Sequence, residues 1–356
     1  MNRLERLRAA VPTAADCFLI TDAVNRRYFT GMKSSAGTLA VFRDAAYLII
    51  DGRYYEKAKS SVTGCEVVLQ KKLYDQLGVL FSRHNTRRAA VEIDTVTLRE
   101  CAALKKELPV KLSDGGELSD VINAMRMIKT PEEIAHITAA QRIAERAFAA
   151  LLPEIRAGVT ERALALKLDF LMLSGGAEAL SFDTIALTGA ATSMPHGVPS
   201  ERVVKNGDFV LLDFGAVVNG YHSDMTRTVC AGEPTEKMRA VYDTVLAAQE
   251  AGLAAVRAGV CAGDADKAAR DVIAKAGWGD CFGHSLGHGV GLEIHEAPNL
   301  TPAGKAVLAP GMVVTVEPGI YLPKEFGVRI EDFVVVTETG GENLTLCPKE
   351  LLCLNS

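Results

Sequence analysis

A small α/β domain followed by a larger α+β domain is the architecture this sequence predicts, and three observations predict it. Over the first hundred or so residues, short β-rich runs alternate with helix-compatible runs. Near residue 120 the texture changes to a long helix with strong start signals. Beyond it, helical stretches and hairpin-forming runs are segregated, which indicates α+β organisation. The 356 residues are enough for two domains, at roughly 100–200 residues each.

In chain order, CFLITD (17–22), TLAVF (38–42), AAYLIID (45–51) and CEVVLQ (65–70) read as strands. RYYEKAKSS (53–61), KLYDQLGVLFSRH (72–84) and TLRECAALKKEL (97–108) carry helical apolar spacing, and VEID (91–94) reads as another buried strand. The domain boundary falls at 122–128, giving an N-terminal domain 1–124 and a C-terminal domain 125–356. Thr130 is placed to cap a helix, with Pro131 at its first position and Glu133 completing a capping box. Ile134, Ile137, Ile143, Phe148 and Leu151 follow its apolar stripe, and Gly158 reads as its terminator. Further helices are expected at 160–173, 235–257 and 263–276. Between and after them lie β-rich runs: SFDTIALTG, FVLLDFGAVVNGYHSDMTRTVC, MVVTVEPGIYL and VRIEDFVVVTE.

The composition is 48% hydrophobic and 23% charged, as for a globular protein with a sizeable core. A net charge of -5 gives no electrostatic reason to expect nucleic acid or an anionic membrane as partner. Eight scattered cysteines contain no C-x-x-C pair, so neither cysteine metal ligation nor a disulfide framework is expected. The N-terminus has no apolar signal-peptide core, and no apolar run reaches the ~18 residues a membrane span needs. The expectation is a soluble, reduced, cytoplasmic protein.

The chemistry begins in the hairpin 209–230. Asn219-Gly220 is a strong two-residue turn signal. With Val218 opposite Tyr221, Asp213 falls opposite Thr226, and Asp224 becomes its diagonal neighbour on the same face. Such neighbours are roughly 7–8 Å apart at Cα. Two carboxylates on a half-buried face repel unless a cation lies between them. Glu317 and Glu331 sit in strand-like apolar runs, where ionised glutamates are rare unless paired or ligating. GHSLGHGVGLEIHEAP (283–298) holds His284, His288 and His295. Each of its glycines would cost a helix about 1 kcal/mol, so extended or turning backbone is expected. Four carboxylates with His288 suit Mn²⁺, Fe²⁺, Co²⁺ or Zn²⁺, and shared carboxylates can hold two ions about 3.5–4 Å apart.

Taken together, LLDFGAVVNGYHSDMTRT, GHSLGHGVGLEIHEAP, VVTVEPGIY and GVRIEDFVVVTE resemble the pita-bread (M24) metallopeptidases that cleave Xaa-Pro bonds. NRRYFTG and DGRYYEKA resemble that family's creatinase-like N-terminal domain. The resemblance implies two divalent ions, most readily Mn²⁺, held by Asp213, Asp224, His288, Glu317 and Glu331, with Asp224 and Glu331 shared. Asp213 would complete one site, and His288 and Glu317 the other. It also implies that His196 and His295 bind the peptide and steady the tetrahedral intermediate, while Glu317 shuttles the proton. His284 and Arg329 are expected to line the substrate pocket. Proline-containing peptides are the implied substrates, and a homodimer the implied assembly.

Within the family, a dipeptidase needs a cation for the proline carboxylate. Some prolidases carry an arginine four residues after the histidine of HEAP (here His295), where this chain has Asn299. That departure tilts the sequence reading towards aminopeptidase P, with prolidase as the alternative; Arg329, Lys324 or a partner subunit could still supply the cation. Methionine aminopeptidases generally lack such an N-terminal domain. Relatives that have lost the metals and serve as binding proteins typically lack ligand residues, and here all five are present.

Overall fold

The computed structural model describes residues 2–11, 15–113 and 115–354. The chain divides into two compact units, Met1–Arg126 and Met127–Ser356.

The first unit is built on one six-stranded sheet. Its strand order is Glu66–Leu69, Ala46–Ile50, Thr38–Phe42, Cys17–Ile20, Arg88–Val91 and Lys111–Ser113. Thr38–Phe42 runs antiparallel to both neighbours, and the remaining pairs are parallel. The three central strands are buried at every residue, as strands covered on both faces must be. Leu19, Phe42 and Ile49 pack there with Leu77 and Phe81 from the helix Leu73–Arg83. Two local expectations change. The strand expected at 91–94 is instead Arg88–Val91, because Glu92 turns its carboxylate inward to accept from the backbone of Thr21 and Asp22. NRRYFTG, which was given no element, belongs to the helix Ala23–Thr30, started by the Asp22 carboxylate and closed by Gly31.

In the second unit the helix Pro131–Leu151 begins with the expected capping box between Thr130 and Glu133. It ends earlier than Gly158, in a short 3-10 turn at Leu152–Glu154. The helices Glu161–Ser174, Glu236–Ala255 and Ala262–Lys275 follow. A four-stranded sheet has the order Cys353–Leu354, Met225–Ala231, Asp208–Phe214, Ile185–Thr188. A five-stranded sheet has the order Glu296–Leu300, Gly287–Gly289, Val313–Val316, Asp332–Val336, Gly341–Asn343. Smaller sheets join Ala216–Val218 to its neighbours and Gly319–Leu322 to Phe326–Arg329.

The hairpin register is the expected one. Asn219 (φ 52) and Gly220 (φ 83) form a left-handed two-residue turn, Val218 faces Tyr221, and Asp213 faces Thr226. Val241, Tyr242, Val245 and Ala248 of the helix Glu236–Ala255 pack with Val314, Val316 and Val334 of the five-stranded sheet. A second core gathers Phe148, Leu151 and Leu168 under Val210, Leu212 and Phe214. Between the two large sheets, the buried Arg227 guanidinium bonds Asp332 at 2.7 Å and the Glu331 carbonyl at 2.6 Å. Among the described residues, no helix is long and apolar enough to cross a membrane.

Candidate metal centre

The five expected ligands come from strand ends that the two large sheets bring together. Asp213 is near the end of Asp208–Phe214, and Asp224 immediately precedes Met225–Ala231. His288 is the middle residue of Gly287–Gly289. Glu317 follows directly on Val313–Val316, and Glu331 occupies the step between Phe326–Arg329 and Asp332–Val336. Both glutamates therefore sit just beyond strands rather than within them. All five line one cavity of about 420 Å³, shared with His196, His284, His295 and Arg329.

Asp224, His288 and Glu331 each bring a ligand atom within 4.8 Å of the others. His288 Nε2 lies 3.6 Å from Asp224 Oδ2 and 3.5 Å from Glu317 Oε1. Its Nδ1 donates to the Gly289 carbonyl at 3.1 Å, so Nε2 presents a lone pair to two carboxylates. Acceptors facing acceptors repel, and a cation among them removes the conflict. The flanking glycine explains how the strand fits: a Cβ on Gly287 would overlap the Thr315 carbonyl oxygen. Thr315 also accepts the His288 backbone N–H at 3.0 Å and donates to Glu317 at 3.2 Å. Thr226 donates to Glu331 at 2.7 Å.

The electrostatics point the same way. Burial, then repulsion from Asp213 and Glu317, raises Asp224 well above the usual carboxylate range. Burial, then Asp224, does the same to Glu331. Burial, offset by Arg329 and reinforced by Asp213, pushes Glu317 up to about 8. His288 is driven by burial down to about 4, which keeps its imidazole neutral. Asp213 Oδ1 is buried with no hydrogen-bond partner among the described residues, while Oδ2 accepts from Arg329 Nη2 at 2.5 Å. Carboxylates that resist ionisation without a cation, an orphaned carboxylate oxygen and a free imidazole lone pair are donors suited to divalent metal.

Around them runs a directed chain of hydrogen bonds. His284 Nδ1 donates to the Ser285 carbonyl at 2.8 Å, leaving Nε2 to accept from Tyr321 Oη at 2.9 Å. Tyr321 Oη in turn accepts from Arg329 Nη1 at 2.8 Å, and Arg329 holds Asp213. Burial first, then Arg329, lowers His284 to about 4. His295 lies edge-on to His288, with ring centroids 4.3 Å apart. His196 and His295 are both exposed on the cavity wall, which also includes Asn299. Lys324 lies in the turn between Leu322 and Phe326, and is not among the residues lining this cavity.

Sequence reading named Arg329, which holds Asp213, but missed the other residues that hold the expected ligands. Thr226 was visible as the register partner of Asp213; Tyr321 and Thr315 gave no signal, because their roles depend on side-chain direction across separate strands.

Residues 135–338 match the model for metallopeptidase family M24, and residues 3–128 match the creatinase/prolidase N-terminal domain. The Xaa-Pro dipeptidase of Pyrococcus furiosus is 42% identical over 353 residues, covering 99% of each chain. A solved Xaa-Pro dipeptidase from Bacillus anthracis superposes with a TM-score of 0.94 at 41% identity, covering 99% of both chains. A solved X-Pro aminopeptidase from Thermotoga maritima gives 0.90 at 37% identity, covering 99% of this chain and 100% of its own. With the ligand-bearing strands and both domain matches in hand, the chain belongs to metallopeptidase family M24, its pita-bread catalytic region preceded by a creatinase-type N-terminal domain.

Proposed function

We propose that this metallopeptidase hydrolyses Xaa-Pro dipeptides, as a prolidase. The observation that carries the reading is the convergence of Asp213, Asp224, His288, Glu317 and Glu331 in one cavity. The substrate class rests on relatives named Xaa-Pro dipeptidase at 42% and 38% identity, and on the dipeptidase and prolidase structural neighbours. The tilt towards aminopeptidase P, drawn from Asn299, is thereby reversed: one missing arginine weighs less than whole-chain likeness to dipeptidases. Aminopeptidase action remains the second reading, favoured by Asn299 itself and by the Thermotoga maritima structure.

The proposed cofactor is a pair of divalent ions, Mn²⁺ first, which Asp213, Asp224, His288, Glu317 and Glu331 would hold. Bound ions of this kind lower the pKa of water towards neutrality and polarise the scissile carbonyl. The protein's own groups do the rest. Glu317, beside His288 in the cavity, takes a proton from the attacking water and returns it to the departing proline nitrogen. His196 and His295, on the open wall of the cavity, donate to the developing oxyanion. Arg329 fixes Asp213 and is itself fixed by Thr226 at 3.1 Å and by Tyr321. The eight free cysteines accord with a reducing, cytoplasmic setting. The family resemblance supports a homodimer, which light scattering would check.

The test compares an Xaa-Pro dipeptide with the matching Xaa-Pro tripeptide in Mn²⁺. The expected result is strong turnover of the dipeptide. Turnover confined to the tripeptide overturns prolidase in favour of aminopeptidase P, and turnover of neither rejects the Xaa-Pro reading altogether.

A further inference from the structure

The geometry points to Lys129 as a positioning residue that acts through Glu296 to set His295 against His288. Lys129 Nζ lies 3.3 Å from Glu296 Oε2, and the two side chains are only 1% and 6% exposed. A lysine so deeply buried, beyond the catalytic cavity, is rare without a specific partner. Its backbone is fixed as well: Lys129 N–H donates to the Gly311 carbonyl at 2.8 Å, and Nζ reaches the Met127 carbonyl at 3.4 Å.

Glu296 is the other half of the device. It immediately follows His295 and opens the strand Glu296–Leu300, where it faces Gly289, next to the ligand His288. Its second oxygen, Oε1, accepts from the Glu293 backbone N–H at 3.0 Å, closing the loop that carries Ile294 and His295. The carboxylate lies over Gly291, where an added Cβ would come within 2.6 Å of Oε2. Gly291 itself accepts the His222 N–H at 2.8 Å and donates to the Glu293 carbonyl at 3.1 Å. The loop is thus tied at both ends, and the ammonium of Lys129 is the anchor that holds its carboxylate clasp inward. His295 is exposed and touches the site through its edge-on contact with the His288 ring, so the clasp on the next residue bears directly on where its ring stands.

This role rests on the peptidase reading for its kinetic consequence but not for its geometry, and the test separates the two. Lys129→Met is measured with Xaa-Pro dipeptide in two backgrounds, the natural chain and His295→Ala. A residue acting through His295 loses its effect when His295 is gone. The expected result is a loss of kcat/KM of tenfold or more in the natural background and less than threefold in His295→Ala. Equal losses in both backgrounds overturn the proposal, because a purely structural role lowers both alike. Should Lys129→Met fail to fold, Glu296→Gln enters the same cycle, since it keeps the shape and removes the charge. Lys129→Arg is expected to restore at least a third of the natural kcat/KM. Histidine ring NMR supplies the readout that needs no turnover. The His295 ring proton, shifted by the His288 ring, should move towards its exposed value in Lys129→Met or Glu296→Gln. An unmoved resonance sinks the proposal even if the chain has no Xaa-Pro activity.

Discussion

Stripped of metal, the protein should lose stability as pH rises from 6.5 to 8, and a divalent ion should cancel that loss. Glu317 carries the reasoning: its carboxyl is pushed from 4.5 to about 8 in the folded chain. The folded state therefore keeps a proton that the unfolded state releases. Its stabilising contribution is complete below the unfolded pKa and disappears as pH climbs to about 8. His284 and His288 have folded values of about 4 against 6.5 unfolded, so they add stability as pH rises, but only up to about 6.5. Above that point the histidines' remaining contribution fades out by about pH 7.5, while Glu317, Asp224 and Glu331, all raised, pull the other way throughout. At 1.36 kcal/mol per pH unit, Glu317 alone removes about 2 kcal/mol across the window. For a unit of this size that is a fall in Tm of about 4–8 °C. The chain has a single tryptophan, Trp278, packed against the second unit's core, so its fluorescence reports unfolding of the relevant region. Melts of the metal-stripped protein at pH 6.5, 7, 7.5 and 8, with and without Mn²⁺, make the measurement. Metal at a hundred times its Kd should add about 2.7 kcal/mol and grow more effective with pH, because it displaces protons. A metal-free Tm that is flat or rising over this window refutes the argument. In Glu317→Gln the slope should shrink.

Asp224→Asn should separate activity from stability. It should lower hydrolysis by a factor of about a thousand or more, by removing a proposed metal ligand. It should also make the metal-free chain more stable at pH 8 by about 1 kcal/mol or more, since a buried, repelled carboxylate is gone; a less stable metal-free variant contradicts the electrostatics. Gly287→Ala should cost about 3 kcal/mol or more in urea unfolding, because its Cβ meets the rigid Thr315 carbonyl rather than a movable side chain. A midpoint within error of the natural chain would show that the strand can shift.

Where a property depends on neighbours in sequence, it could be read directly. The capping box at Thr130, the left-handed turn at Asn219-Gly220 and the pairing of Asp213 with Thr226 are all local chemistry. The GHSLGHGVGLEIHEAP run is extended and turning as expected, because its glycines disfavour helix. The helix at Ala23–Thr30 was missed because it depends on a capping aspartate rather than an apolar stripe. The strand near Glu92 was displaced because that carboxylate serves a loop some seventy residues earlier in the chain. The candidate ligands could be named because buried acids are conspicuous in apolar runs. Their supports could not: Tyr321, Thr315 and Lys129 act through side-chain contacts between segments that no periodicity relates.

The span between the hairpin carboxylates and Glu331 has a consequence for how the protein matures. Asp213 and Glu331 are more than a hundred residues apart, and Arg227 ties their strands together only once both sheets exist. A chain grown only as far as the hairpin holds just the Asp213–Asp224 pair of the five candidate ligands, and the full set exists only once Glu331 is in place. On the proposed ligand set, ions would be captured with full strength only after the last strands close, as a seal on a finished fold rather than its nucleus. Folding rate should then be nearly indifferent to metal, while unfolding should slow in its presence.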